Sequence, residues 1–332
     1  MLRSALKNSW HGLRSLRPFS RLKAGKKNRI AVLMYHEILK DSDKIENWMV
    51  VKECDFIQQI DYLKRFFKVI SLEKALQLMR GENEISENLA VVTFDDGYAG
   101  NKRVMWPIIE AKEIPVTVFV STEAVQNQSL YWYDQVILSL QPGDNKPFKI
   151  DLEPVGLKKY KFGPRIEGEQ RWDKIETLLT DLKALSPEKR AEVVKMILEQ
   201  GKKPSGEASP AVSPMSIEEL REMAGSKYVT FGAHSHCHNI LTQLDKETAR
   251  KSVESSKNLL ESWTGLPVRY FAYPNGDFNG SVIENVKESG FLCGMSTVAK
   301  SWEKSDSFFK IPRYGIGRYD SLNLFKLMVS RF

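Results

Sequence analysis

Leu89-Ala90-Val91-Val92-Thr93-Phe94-Asp95-Asp96-Gly97-Tyr98 runs from an apolar stretch into two adjacent carboxylates and a glycine. A short continuous apolar run that ends in turn residues reads as a buried strand. Comparable runs at 30–35, 116–120, 229–233 and 269–273 accompany the one at 90–94. Amphipathic stretches lie between them, with helices expected at 56–67 and 71–79. Strands alternating with helices predict an α/β fold with parallel strands. The charged motifs fall at strand ends, which suits a barrel whose site gathers at the C-terminal rim. With 332 residues, 42% of them hydrophobic, the chain can bury the core of one large domain or two small ones.

Residues of a strand point alternately to opposite faces, so Asp95 and Asp96 cannot do the same job if the strand continues through them. A bend at Gly97 would bring both to one cleft with different neighbours. One could then bind a cation while the other takes a proton from water. Far downstream, His234-Ser235-His236-Cys237-His238 follows another apolar run, and three of the chain's five histidines fall within it. On a helical turn His234 and His238 share a face and can bind one ion; in an extended segment His236 joins them. Spacing leaves that choice open. Two neutral imidazoles and a carboxylate leave coordination positions free, as a catalytic metal site requires.

Thr93-Phe94-Asp95-Asp96-Gly97-Tyr98 resembles the first signature of the polysaccharide deacetylase family, the NodB-homology or carbohydrate esterase 4 group. Gly232-Ala233-His234-Ser235-His236-Cys237-His238 resembles its metal-binding His motif, and Phe271-Ala272-Tyr273-Pro274-Asn275-Gly276 its third signature. The resemblance covers residues 30–125 and 214–330. It implies a distorted, incomplete (β/α) barrel and hydrolysis of N-acetyl groups on an amino-sugar saccharide. It implies Asp95 as general base, and Asp96, His234 and His238 as ligands of a divalent cation, often zinc. Imidazole and carboxylate ligands also accept Co²⁺, Ni²⁺ and Mn²⁺. Acetyl esters hydrolysed at the same site, or saccharide binding without catalysis, are the alternative readings.

Two positions depart from the family pattern. An Arg that orients the base is replaced by Ala272, and Arg313 is the expected substitute, ahead of Arg269. No His follows His238 to act as general acid. Val32-Leu33-Met34-Tyr35-His36-Glu37-Ile38 resembles the N-terminal Tyr-His segment of the circularly permuted members, which makes His36 the candidate acid. Its alternative reading is a hydrogen-bonded histidine at a strand end.

Residues 126–213 are expected to form a partly helical insertion, with helices at 175–185 and 189–198. Its aromatic start, Tyr131-Trp132-Tyr133, could be a sugar platform or could dock the insertion on the barrel. Pro204-Ser205-Gly206 and the stretch 209–214 read as linker. Cys54, Cys237 and Cys293 are odd in number and scattered, which implies no disulfide framework and fits a reducing compartment. Residues 1–29 contain nine Lys or Arg and no acid, with Leu2, Leu6, Trp10, Leu13 and Leu16 near helical spacing. They read as a basic amphipathic helix on an anionic membrane surface or as a flexible basic tail, preceding a domain at 30–332. No apolar run is long enough for a signal core or a membrane span. The placement expected is therefore cytoplasmic, at or near the inner face of a membrane. This segment can account for the whole net charge of +7, so no nucleic-acid partner is expected.

Overall fold

The computed structural model describes residues 28–330 apart from 46, 142–147, 163–167 and 202–211. Residues 1–27 of the basic segment, and the linker residues Pro204-Ser205-Gly206 and Ser209-Pro210, lie outside the described residues. Seven strands form the main path of a nine-stranded sheet, in the order Cys293–Met295, Tyr270–Ala272, Val229–Ala233, Val116–Val120, Leu89–Phe94, Arg29–Tyr35 and Trp302–Glu303. Lys68–Val69 pairs beside Leu89–Phe94, and Tyr314–Gly315 beside Arg29–Tyr35. Every pairing in this sheet is parallel except that of Trp302–Glu303. The sheet curls without closing, which is the expected distorted, incomplete barrel.

Strand alternation divides the apolar residues between two cores. Ala31, Leu33, Ala90, Val92, Val118 and Phe231 pack with Phe56, Ile60, Val253 and Val286 of the surrounding helices. Ile30, Val32, Leu89, Val91, Phe119 and Ala272 face the concave side, with Leu76 and Met79 of the helix Leu72–Arg80. That helix starts where the Ser71 side chain accepts the Lys74 N–H, a standard N-cap. Gly232 is required by close packing: a Cβ there would lie 2.5 Å from the Phe119 ring.

The expected helices at 175–185 and 189–198 form as Gly168–Lys183 and Pro187–Gln200, the second capped by Ser186 with Pro187 at its first position. They pack with the helix Trp132–Ser139 and the hairpin of Phe148–Asp151 and Lys159–Phe162. Their shared core includes Ile137, Phe162, Ile175 and Ile197, and it also takes in Tyr98, beyond the strand Leu89–Phe94, and Leu39 and Val50 of a separate two-stranded sheet formed by Glu37–Leu39 and Val50–Lys52. The described residues of 131–200 are thereby seated over the C-terminal ends of the strands.

Candidate active site

The concave-face alternation 89-91-93 continues one step to Asp95. The Asp95 N–H donates to Tyr35 O at 2.9 Å, so the ladder extends to this residue although the strand Leu89–Phe94 has ended. Both carboxylate oxygens accept from the Arg313 guanidinium at 2.7 Å, a bidentate fork. Arg313 is fully buried, and its Nε donates to Ser296 O at 3.0 Å. Burial pushes the Asp95 carboxyl up, but Arg313, with His234 and His36, outweighs it and holds the group below the usual range. Arg313 thus reaches the carboxylate that Ala272 leaves without an Arg. Arg269 points elsewhere, 3.7 Å from Glu73 at the surface.

Asp96 leaves the strand direction altogether. Its φ is +73°, and Gly97 follows at +79°, so the bend begins one residue earlier than Gly97 alone would place it. This turn swings the second carboxylate toward the histidine loop. Asp96 Oδ1 lies 3.3 Å from His234 Nε2 and 3.1 Å from His238 Nε2. Burial raises the Asp96 carboxyl, yet the two imidazoles overcome it and hold it well below the usual carboxylate range.

His234 continues the ladder of Val229–Ala233, its N–H donating to Val120 O at 2.9 Å. Its Nδ1 lies 2.8 Å from Ala272 O; since a carbonyl can only accept, Nδ1 carries a proton, and in the neutral ring Nε2 is the atom with the lone pair. The loop beyond is neither helix nor strand, because Ser235 and His238 have φ of +62° and +52°. That geometry settles what spacing left open. His238 returns to the cluster, while His236 turns away to place Nδ1 2.8 Å from Thr122 Oγ1. Cys237 is also outside, with Sγ accepting from Asn239 Nδ2 at 3.2 Å.

One ligand-capable atom from each of Asp96, His234 and His238 lies within 4.8 Å of the others. The fit to a divalent cation rests on the donors themselves. Asp96 Oδ1 is buried without a hydrogen-bond partner among the described residues, and it faces two Nε2 atoms. Three converging oxygen and nitrogen donors in a buried site suit such an ion.

His36 belongs to the same concave-face series as Ile30 and Val32. The register pairs Tyr35 with Phe94, so His36 emerges beside Asp95. Burial lowers its pKa, while Asp96 and Asp95 act to raise it. Its ring packs edge-on to Trp48 at 5.9 Å. What sequence reasoning missed is the role of Tyr131 and Tyr133. Both are buried rather than displayed, with their hydroxyls on Asp96. The hydrophobic, aromatic character of 130–134 was the available signal, but it does not reveal the partner.

A family model described as polysaccharide deacetylase matches residues 188–294, which include His234, His238 and the Tyr273–Gly276 turn. Among curated proteins none matches the sequence. Similar solved structures include the Streptococcus pyogenes deacetylase PplD in complex with acetate (TM-score 0.60, 15% identity, covering 91% of this chain and 98% of that one). A de-N-acetylase from Aggregatibacter actinomycetemcomitans aligns with TM-score 0.58 and 16% identity, over 91% of this chain and 100% of the other. IcaB from Ammonifex degensii gives 0.57 and 19%, over 91% and 97%.

Proposed function

We infer that this chain belongs to the polysaccharide deacetylase family and hydrolyses N-acetyl groups of an amino-sugar-containing saccharide with the help of a divalent cation. The observation that carries this reading is the division between two adjacent carboxylates. Asp95 is clamped by Arg313, and Asp96 faces two imidazole nitrogens. Asp96, His234 and His238 would hold the cation, with zinc the first choice for this donor set and Co²⁺, Ni²⁺ and Mn²⁺ also suited. Such an ion supplies Lewis-acid polarisation of the acetyl carbonyl and acidifies water.

The remaining roles fall to the protein. Asp95, ionised by its pairing with Arg313, accepts a proton from the attacking water. Arg313 fixes both oxygens of that base, so its direction is set before substrate arrives. The backbone N–H near Tyr98 is a suitable donor to the developing oxyanion. His36 gives its proton to the sugar nitrogen as the C–N bond breaks, so the products are acetate and a free amine. An amine needs that proton because its anion is a poor leaving group.

The non-catalytic alternative drew its support from Ala272, and Arg313 now occupies that need. An O-acetyl esterase remains the second reading, since the same donors would serve an ester whose alkoxide requires less acid assistance. The test is acetate release from matched N- and O-acetylated saccharides by protein supplied with zinc or cobalt. Release from N-acetyl sugars supports the proposal; release only from esters replaces it.

Among the described residues no helix is long and apolar enough to cross a membrane. The basic, Leu-spaced pattern of residues 1–29 supports contact with an anionic membrane surface and hence a lipid-linked saccharide. Failure of the full-length protein to co-sediment with anionic vesicles would overturn that placement.

A further inference from the structure

We propose that Tyr131 and Tyr133 are positioning residues for the cation, setting its affinity by fixing the orientation of Asp96. The inference rests on the metal-site reading above. Tyr133 Oη donates to Asp96 Oδ2 at 2.9 Å, which occupies one carboxylate oxygen. The other, Oδ1, is turned toward His234 and His238 and has no hydrogen-bond partner among the described residues. One phenol therefore decides which oxygen is free to ligate.

Tyr131 acts on the backbone of the same residue. Its Oη donates to Asp96 O at 2.6 Å. Asp96 holds a left-handed φ of +73°, a conformation that costs a non-glycine residue about 1–2 kcal/mol. A hydrogen bond to its carbonyl helps to hold the peptide in that turn. The rings continue the contact to a second ligand. Tyr131 and Tyr133 stack on each other at 5.2 Å and 3°, and each ring centroid lies 5.3 Å from that of His238. Neighbouring Asp134 accepts from Tyr98, two residues past Asp96, at 2.7 Å. Residues 131–134 thus grip the Asp96 turn at its carbonyl, its carboxylate and the Tyr98 side chain.

The arrangement excludes a sugar-platform role for the two tyrosines. Tyr131 and Tyr133 are only 6% and 5% exposed, so neither offers a free face to a pyranose. The segment comes from the 126–213 region, 35 and 37 positions along the chain from Asp96. Hydrogen bonds to a ligating carboxylate commonly change metal affinity by about 10–100-fold when lost.

The experiment is competition for Zn²⁺ against a chromophoric chelator, at one pH, using full-length wild type, Tyr133→Phe and Tyr131→Phe. Thermal unfolding is recorded for each protein without added metal, and the Co²⁺ absorption spectrum with it. Tyr133→Phe should weaken zinc binding about 10–100-fold and shift the Co²⁺ bands, with little change in the unfolding temperature without metal. Tyr131→Phe should weaken binding in the same direction by less. A lowered unfolding temperature with wild-type zinc affinity and spectrum in both variants would make the tyrosines mere docking residues and overturn the proposal. Should Tyr133→Phe fail to fold, Tyr131→Phe decides alone. Absence of zinc and cobalt binding by the wild type would instead overturn the metal reading, and this inference with it.

Discussion

The rim of the sheet and the segment 131–134 meet at Asp96, yet they contribute different things. The rim supplies the groups proposed for chemistry: Asp95 and Asp96 after one strand, His234 and His238 after another, and His36 after a third. Each follows a parallel strand, so strand alternation and the curl of the sheet aim them. Segment 131–134 supplies no proposed ligand and no proposed acid or base. It supplies two phenols, which hold a strained turn and turn one oxygen of Asp96 toward the imidazoles. A motif can thus name the reacting groups while their aim is set by residues far away in sequence. Arg313 makes the same point for Asp95, from 218 positions downstream.

The largest effect should follow from breaking the rim. His238→Ala removes one of three converging donors, so both bound metal and turnover should be lost. Full metal occupancy by elemental analysis of the purified variant would contradict the ligand set. Arg313→Met should strike both stability and chemistry. It leaves a buried carboxylate unpaired, which typically costs about 3–5 kcal/mol, and it releases the proposed base. Urea unfolding measures the first effect; a loss below about 1 kcal/mol would mean that Asp95 finds other partners.

His36→Ala should keep the metal and lose about 10²–10⁴ in turnover. The pH dependence sharpens this prediction. Burial lowers the His36 pKa from its ordinary 6.5, and an acid works only while protonated. The advantage of wild type over His36→Ala should therefore be greatest at low pH and shrink as pH rises through that lowered pKa. An advantage that grows with pH would remove His36 from the acid role. The expected affinity change in Tyr133→Phe is the smallest of these effects, and it alone reports on the segment rather than the rim.

Much of this architecture is legible in the sequence. The runs at 116–120 and 229–233 form strands with those bounds, because continuous apolar residues fit a sheet buried on both faces. The run at 269–273 is shorter as a strand, Tyr270–Ala272, since Pro274 opens a turn right after Tyr273. His236 could not be placed by spacing, because its fate depends on positive φ at Ser235 and His238, which neither helical nor extended periodicity anticipates. The aromatic residues 131–133 stand out by composition. Their hydrogen bonds to Asp96 depend on how the helices 132–139, 168–183 and 187–200 seat over the rim, a tertiary fact with no local signature.

Asp95→Asn separates the tasks assigned to the two adjacent carboxylates. Metal content and acetate release from an N-acetylated glucosamine oligosaccharide should be measured on the same purified protein. The expected result is wild-type metal content with turnover reduced by at least about 10²-fold. Turnover near wild type, or loss of the metal together with activity, would contradict it.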